Sequence, residues 1–414
     1  MAQPTGALHG LRVCDLTGQL AGAGATRFLA AFGAEVIRVE DPVRAGRWDI
    51  LRGAPPFVDE RRGINLGGAF NNHNVEKLGV TINLRDERGR ALFEELVAVS
   101  DVVTENFAAG VMDRLGLGYE HLRDVRPDII YVSQCGFGQA GPYRDFKTWG
   151  PIVQALCGLT ATSGLAGQPP AGWGYSFMDH GGAYMMGLAV LGALVHRERT
   201  GEGQWIDMST VEAGGSLLGP ALLDASVNGS EYAVGATSSN RDPAMAPHGI
   251  YPARGDDRWV AIACRSDAEW RSLGDLVGLD WARRDDWSCL AGRKAGEDEL
   301  DACVAEWTSG HVDHELAAAV RARGVPAAAV LRPRERIDGP SGGRQPGAWL
   351  WPEVQHAEMG RVRVDGVPVR MSRTPWRIER GAPCLGADND RVFGGLLGHD
   401  TDDLRALRDA GVIS

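Results

Sequence analysis

Lysine is nearly missing from this chain. Only three of its 43 basic residues are lysines, at 77, 147 and 294, so arginine carries almost all of the positive charge. A retained lysine marks a place where a compact ammonium serves better than a planar guanidinium. The seven cysteines are odd in number and form no CxxC pair, which fits reduced thiols better than a disulfide framework. The longest apolar run, Ala183 to Val195, is too short to span a bilayer. The opening MAQPTGALHG lacks the basic and apolar regions of a signal peptide. No Walker motif, GxSxG elbow or Cys/His ligand cluster occurs. A net charge of −11 speaks against nucleic-acid and membrane-surface partners, and any anionic ligand needs a local basic pocket. These absences together predict a soluble cytoplasmic protein.

What is present is alternation. With 414 residues, 44% of them hydrophobic, the chain is long enough for two domains or more. Short apolar runs at 11–16, 34–40, 79–84, 101–106, 128–134 and 204–209 read as buried strands. Helical patterns at 24–33, 86–100 and 179–199 lie between them. Strands alternating with helices of ten or more residues predict an α/β fold with a parallel, doubly wound sheet. Ser209 with Glu212, and Ser266 with Glu269, form capping boxes. From about residue 238 the texture changes to a smaller α+β domain, with strands at 258–264 and 325–331. RPRERIDGPSGGRQPG (332–347) reads as a linker.

Candidate sites are few. AGAGATR places GxG before a helix, with Glu40 or Asp41 ending the next strand as a ribose-binding acid would. Arg27 replaces the third glycine, however, and six residues separate Asp15 from Gly22, so a dinucleotide site is not expected. His311 and His314 have metal-like spacing but no third ligand, and a solvated helix face explains them better. No metal is expected. YSFMDHGGAYMMG (175–187) is more informative, because Asp179 stands at the mouth of a long apolar helix. As an N-cap it would satisfy free backbone N–H groups, and the helix dipole would hold it ionised. The same ionised carboxylate beside a desolvated pocket can act as a nucleophile. Gly181 and Gly182 would let a ligand approach the backbone there.

The motifs LHGLRVCDLTGQLAGAGATRFLAAFGAEVIRVEDP, NHNVEKLGVTINL, DVVTENFAAGVMDRLGLGY, PDIIYVSQCGFGQAGPY, FMDHGG, ALVHRERTGEGQWIDMS and APCLGADNDRVF follow one another in this order. In that order the chain resembles the class III coenzyme A transferases over nearly its full length, the family of formyl-CoA transferase and the carnitine and benzylsuccinate CoA transferases. The resemblance implies that Asp179 is the catalytic nucleophile. It would attack a donor thioester to give a mixed anhydride, then form an aspartyl-CoA thioester with the returning thiolate. An acceptor acid would reverse these steps. Backbone N–H groups of Gly181 or Gly182 would stabilise the oxyanion. The positions matching the CoA contacts are Ala21, Lys77, Asn106, Phe107, Arg114 and Lys147, with the cations supplying charge for CoA phosphates. Gly18, Gln19 and Leu20 depart from the formyl-CoA transferase pattern.

The resemblance also implies a large Rossmann-like domain (1–215), completed by a C-terminal segment (346–414). Linkers at 216–237 and 326–345 would flank a small α+β domain (238–325), and two ring-like chains would interlock as a homodimer. In place of a glycine-rich lid the small domain carries Met245, His248 and Tyr251. With Trp149, Trp173 and Tyr175 these predict an acceptor larger and more apolar than oxalate. Two rivals share the resemblance. A 2-methylacyl-CoA racemase would need a histidine where Trp149 stands, and indole offers no basic nitrogen. One subunit of a heteromeric transferase is the other rival, and a non-catalytic partner would be expected to lack Asp179.

Overall fold

A computed structural model describes residues 6–164, 168–172, 175–229, 241–338 and 348–414. The chain divides into two compact units. The first comprises Met1–Thr160, Gly172–Gly229 and Trp349–Ser414, and the second Ala161–Ala171 and Ser230–Ala348.

In the first unit six strands form one parallel sheet: β1 (Arg12–Asp15), β2 (Glu35–Glu40), β3 (Leu78–Thr81), β4 (Val102–Glu105), β5 (Ile130–Cys135) and β6 (Gln204–Ser209). Each falls on or within one residue of an apolar run expected to be a strand. Their order is β3-β2-β1-β4-β5-β6. One rung runs Val36–Val13–Val102–Ile130–Gln204 across five strands. Alternation along each strand divides the side chains between two layers. Val13, Val36, Val102 and Ile130 pack with Leu29 of the Ala21–Ala31 helix and with Met186 and Val190 of the Phe177–Thr200 helix. Cys14, Ile37, Val103 and Tyr131 face the other way, onto Leu92, Phe93 and Leu96 of the Glu87–Ala98 helix. Both faces of β1 to β5 are thus covered, which is why these strands read as near-continuous apolar runs, while the edge strand β6 alternates between half-buried and exposed residues.

Residues 349–414 lie in the first unit and finish its edge. The Gly79 and Thr81 N–H groups donate to Asp388 Oδ2 at 2.8 Å and Asn389 Oδ1 at 2.9 Å, so the outer side of β3 is not left open.

The second unit holds an antiparallel sheet of β7 (His248–Pro252), β8 (Trp259–Ala263) and β9 (Ala327–Ala329). Its core gathers Trp270, Trp287, Val260, Ile262, Leu273 and Leu300. Two expected linkers are corrected here. Most of 216–229 is helical, within Thr210–Leu218 and Pro220–Asn228. The 326–345 stretch contains β9 and the Pro333–Asp338 helix, while 230–240 and 339–347 fall outside the described residues. Residues 161–171, expected within the large domain, group with the second unit instead.

Candidate active site

Helices after β1 and β4 leave the sheet in opposite senses, and the carboxyl ends of these two neighbouring strands therefore open a crevice. Asn106, just past β4, bridges it. Its Oδ1 accepts from Gly18 N at 2.8 Å and its Nδ2 donates to Gly18 O at 2.9 Å, fixing the two loops against each other. Trp48 packs on the same loop. A Cβ on Gly18 would lie 2.4 Å from Trp48 Cη2, so only glycine admits the indole. The Trp48 and Phe107 rings stand 5.2 Å apart. The Ala21–Ala31 helix begins at this crevice with no side-chain cap on its N-terminus, a feature suited to an anion.

The result is a cleft of about 260 Å³. Ala21, Asn106, Phe107, Lys147, Trp149 and Asp179 line it, so the fold brings these six candidates together. It also brings in Trp48, Gln134, Arg144, Phe146, Thr148 and Thr210, which sequence reasoning did not single out. Arg144 stood three residues before a flagged lysine, and that proximity was its only signal.

Asp179 is not the helix cap. The cap position is Ser176, and Asp179 is the third residue inside the Phe177–Thr200 helix, its N–H donating to Ser176 O at 3.1 Å. Nor does the helix dipole settle its charge. Burial pushes the carboxyl up to about 6, against the opposing pull of a hydrogen bond with Ser176. Desolvation disfavours the ionised form here, yet the group is still mostly ionised at pH 7. Gly150 makes room for it, because a Cβ there would lie 2.7 Å from Asp179 Oδ2.

The expected oxyanion donors are corrected as well. Gly181 and Gly182 are the fifth and sixth residues of the helix, where each backbone N–H is spent on the carbonyl four residues back. Gly182 matters for space instead: a Cβ there would lie 2.9 Å from both Gln134 Nε2 and Thr210 Cγ2.

Lys77 is the clearest correction among the CoA candidates. Its side chain is 0% exposed, and its ammonium donates to Asp15 Oδ2 (3.1 Å), Ala23 O (3.0 Å), Thr26 Oγ1 (2.7 Å) and Asn74 Oδ1 (2.9 Å). Burial lowers its pKa to about 8 while Asp15 pulls the other way, so the pair stays charged at pH 7. Burial would raise Asp15, but Lys77, Arg38 and the Thr17 and Thr26 hydroxyls outweigh it and bring it below the usual carboxylate range. An ammonium held by four internal partners has no charge to offer a phosphate at the cleft.

Other candidates lie elsewhere. Arg114 is exposed and its Nη1 donates to Ala109 O at 3.4 Å, beside the cleft without lining it. Tyr175 stacks on His180 at 5.0 Å and its hydroxyl meets His180 Nε2 at 2.9 Å. His248 begins β7 of the second unit, in a shallow depression with Ile250 and Arg321. Tyr251 is 4% exposed, part of that unit's core, with its hydroxyl donating to Asp301 Oδ1 at 2.7 Å. It is therefore not a pocket residue. Trp173 lies outside the described residues. His311 and His314 are engaged locally, with Trp307 O and Asp313 Oδ1. Among the described residues no group of three or more His, Cys, Asp or Glu is placed to hold a metal, and no helix is long and apolar enough to cross a membrane.

Comparison with known proteins meets the same geometry. The chain is 32% identical to succinyl-CoA–D-citramalate CoA-transferase of Chloroflexus aurantiacus, over 99% of each chain. It is 34% identical to acetyl-CoA:oxalate CoA-transferase of Acetobacter aceti, over 93% of this chain and 94% of the other. A crystal structure of a CAIB/BAIF family protein from Brucella suis superposes with a TM-score of 0.84 at 28% identity, covering 95% of this chain and 100% of that one. Residues 8–389 match CoA-transferase family III as a whole. With its sheet, crevice and sequence agreeing, the chain belongs to CoA-transferase family III and is a transferase that moves coenzyme A between acyl-CoA and acids.

Proposed function

We propose that this transferase works through a covalent Asp179, taking CoA from a short acyl-CoA donor and passing it to a dicarboxylic acid. The observation that carries the mechanism is one desolvated carboxylate, its pKa raised to about 6, in the wall of a cleft that also holds Arg144 and Lys147. Desolvation strips the carboxylate of its hydration shell, which makes it a better nucleophile while leaving it largely ionised at neutral pH. Attack on the donor thioester gives an aspartyl anhydride and CoA thiolate. The thiolate returns to give aspartyl-CoA, and the acceptor carboxylate repeats the sequence in reverse. Thioester and anhydride are close in reactivity, so no step needs ATP.

Arg144, Lys147 and the open N-terminus of the Ala21–Ala31 helix supply the local positive field that an acidic protein needs for the CoA phosphates. Asn106 and Phe107 hold the adjoining wall. The acceptor is read differently from the sequence expectation. Of the described aromatic residues expected around it, Trp149 lines the cleft, and Tyr251 is committed to a core. Polar groups at Gln134 and Thr148 fit a dicarboxylic acid better than an aryl or branched one. D-citramalate and oxalate, named for two relatives, are acids of that class. Racemisation finds no support, since the described cleft lining has one carboxylate and no imidazole.

A homodimer fits an exposed apolar surface on the first unit. Tyr184, Met185 and Leu188 on the Phe177–Thr200 helix and Leu222, Leu223 and Val227 on the Pro220–Asn228 helix are all exposed. Native mass measurement tests it, with twice 44.3 kDa expected. The mechanism is tested by incubating enzyme with succinyl-CoA and digesting it. A CoA or acyl adduct on the Asp179 peptide is expected, and its absence during active turnover would end the covalent reading.

A further inference from the structure

Gln134 is the penultimate residue of β5, at the carboxyl end of a central strand. Its side chain is 1% exposed, and neither Nε2 nor Oε1 has a hydrogen-bond partner among the described residues. A buried carboxamide is normally satisfied, because both of its ends give up water on folding. Two neighbours explain how it fits without being satisfied. The missing Cβ of Gly182 lets the amide lie against the helix. Thr210, on the other side, donates its hydroxyl to Cys135 O at 3.2 Å and is committed there.

Gln134, Thr210 and Asp179 line the same cleft. Gly182 follows Asp179 by three residues in the helix, a spacing that puts the two on one face, about 5–6 Å apart. The unspent amide therefore lies against the helix face that carries the nucleophile.

We propose that Gln134 is a catalytic residue that donates an N–H hydrogen bond to the carbonyl oxygen of the acyl group under attack; this rests on the covalent role read for Asp179. In that step a bond forms between an Asp179 carboxylate oxygen and the thioester carbonyl carbon, and the carbonyl π pair moves onto oxygen. On collapse the pair returns, the C–S bond breaks, and its electrons leave on the CoA thiolate. No proton changes hands, so the step needs a donor toward transient negative charge and needs no acid. The helical N–H groups of Gly181 and Gly182 are already spent. A carboxamide is neutral at every working pH, keeps its N–H groups, and here is desolvated in advance, so it pays no reorganisation when charge develops. A residue kept only for packing would gain from being leucine, which leaves no polar atom unsatisfied.

The test is Gln134→Leu and Gln134→Glu in the full chain, with succinyl-CoA as donor and oxalate or D-citramalate as acceptor. Both variants are expected to lose about 10²–10³-fold in kcat, the cost of removing an oxyanion donor. KM for succinyl-CoA is expected to stay within about threefold, because the bond strengthens only as charge develops. The melting temperature of ligand-free Gln134→Leu is expected to equal or exceed that of the wild type. A packing role gives the opposite pattern, a lower melting temperature with kcat preserved, and overturns the assignment. Turnover of Gln134→Leu within about threefold of wild type also overturns it and leaves the Asp179 reading intact. A wild type that turns over with no adduct on Asp179 removes both.

Discussion

Two groups of buried polar side chains flank the carboxyl end of the same sheet and are treated in opposite ways. Beneath the loop that follows β1, every carboxylate meets a cation. Asp15 faces Lys77, Asp49 faces Arg38 at 2.6 Å, and Glu40 faces Arg52. Their hydrogen bonds reach outward to Thr17 O and Gln19 N, so this network sets the lip of the cleft. In the cleft itself Asp179 has no cation partner in any ion pair of the described residues, and Gln134 has no hydrogen-bond partner at all among them. Gln134 is as deeply buried as the paired network and Asp179 is partly buried, but satisfaction differs. Buried charge that is paired specifies a framework, whereas a buried polar group left unpaired is stored for a ligand.

The largest effect is expected from breaking the unpaired side. Asp179→Asn keeps shape and removes the nucleophile, so turnover is expected to fall by at least about 10⁴-fold. Acyl-CoA binding, read by the ligand-induced rise in melting temperature, is expected to remain. Activity near wild type would erase the distinction between the two groups.

The paired side breaks in another currency. Lys77→Met leaves Asp15 and its hydroxyl partners around a missing cation, at an expected cost of about 3–5 kcal/mol in stability. Equilibrium unfolding in urea measures it. The folded fraction is expected to keep the wild-type KM for acyl-CoA; a KM rise with unchanged stability would return Lys77 to the list of CoA contacts.

These two lysines show what sequence can and cannot convey. Their rarity singled out both Lys77 and Lys147, and the structure puts them in different surroundings, one buried and one exposed. Which one faces solvent depends on Asp15, Thr26 and Asn74 converging on Lys77, three positions that no spacing rule connects. The sheet was legible because both faces of parallel strands are buried, leaving apolar runs that need no partner to be seen. Asp179 was legible as a position and misread as a cap, since a cap and a first-turn carboxylate differ by three residues of helix register. Gln134 was invisible. A glutamine ending a strand looks like surface until Gly182 and Thr210, far along the chain, are seen to enclose it.

Lys147 should separate from Lys77 by a smaller and purely functional effect. Lys147→Ala is expected to raise KM for acyl-CoA by about tenfold or more, the worth of a charge-assisted contact to phosphate. Stability is expected to change by less than about 0.5 kcal/mol, as for an exposed side chain. Equal KM in the variant and wild type would remove Lys147 from the CoA site.

The smallest effect links the unpaired carboxylate to stability. Asp179 titrates at about 6 in the folded enzyme, against an ordinary value of 3.8. Between those values the folded state holds the proton more tightly than the unfolded chain. The stabilisation from that proton is therefore complete below about pH 4 and is lost as pH rises through 6. Above pH 6 the wild type carries a desolvated charge that Asp179→Asn does not. At roughly 1.4 kcal/mol per pKa unit, reduced because the side chain is only partly buried, the variant is expected to gain about 1–2 kcal/mol at pH 8. At pH 4 the two should melt together, since protonated aspartate and asparagine are both neutral and nearly the same shape. Paired thermal melts at pH 4, 6 and 8 read the difference directly. A gain that grows with pH shows that the nucleophile is held at the expense of the fold, while equal melting at pH 8 would mean that Asp179 is as well satisfied as Asp15.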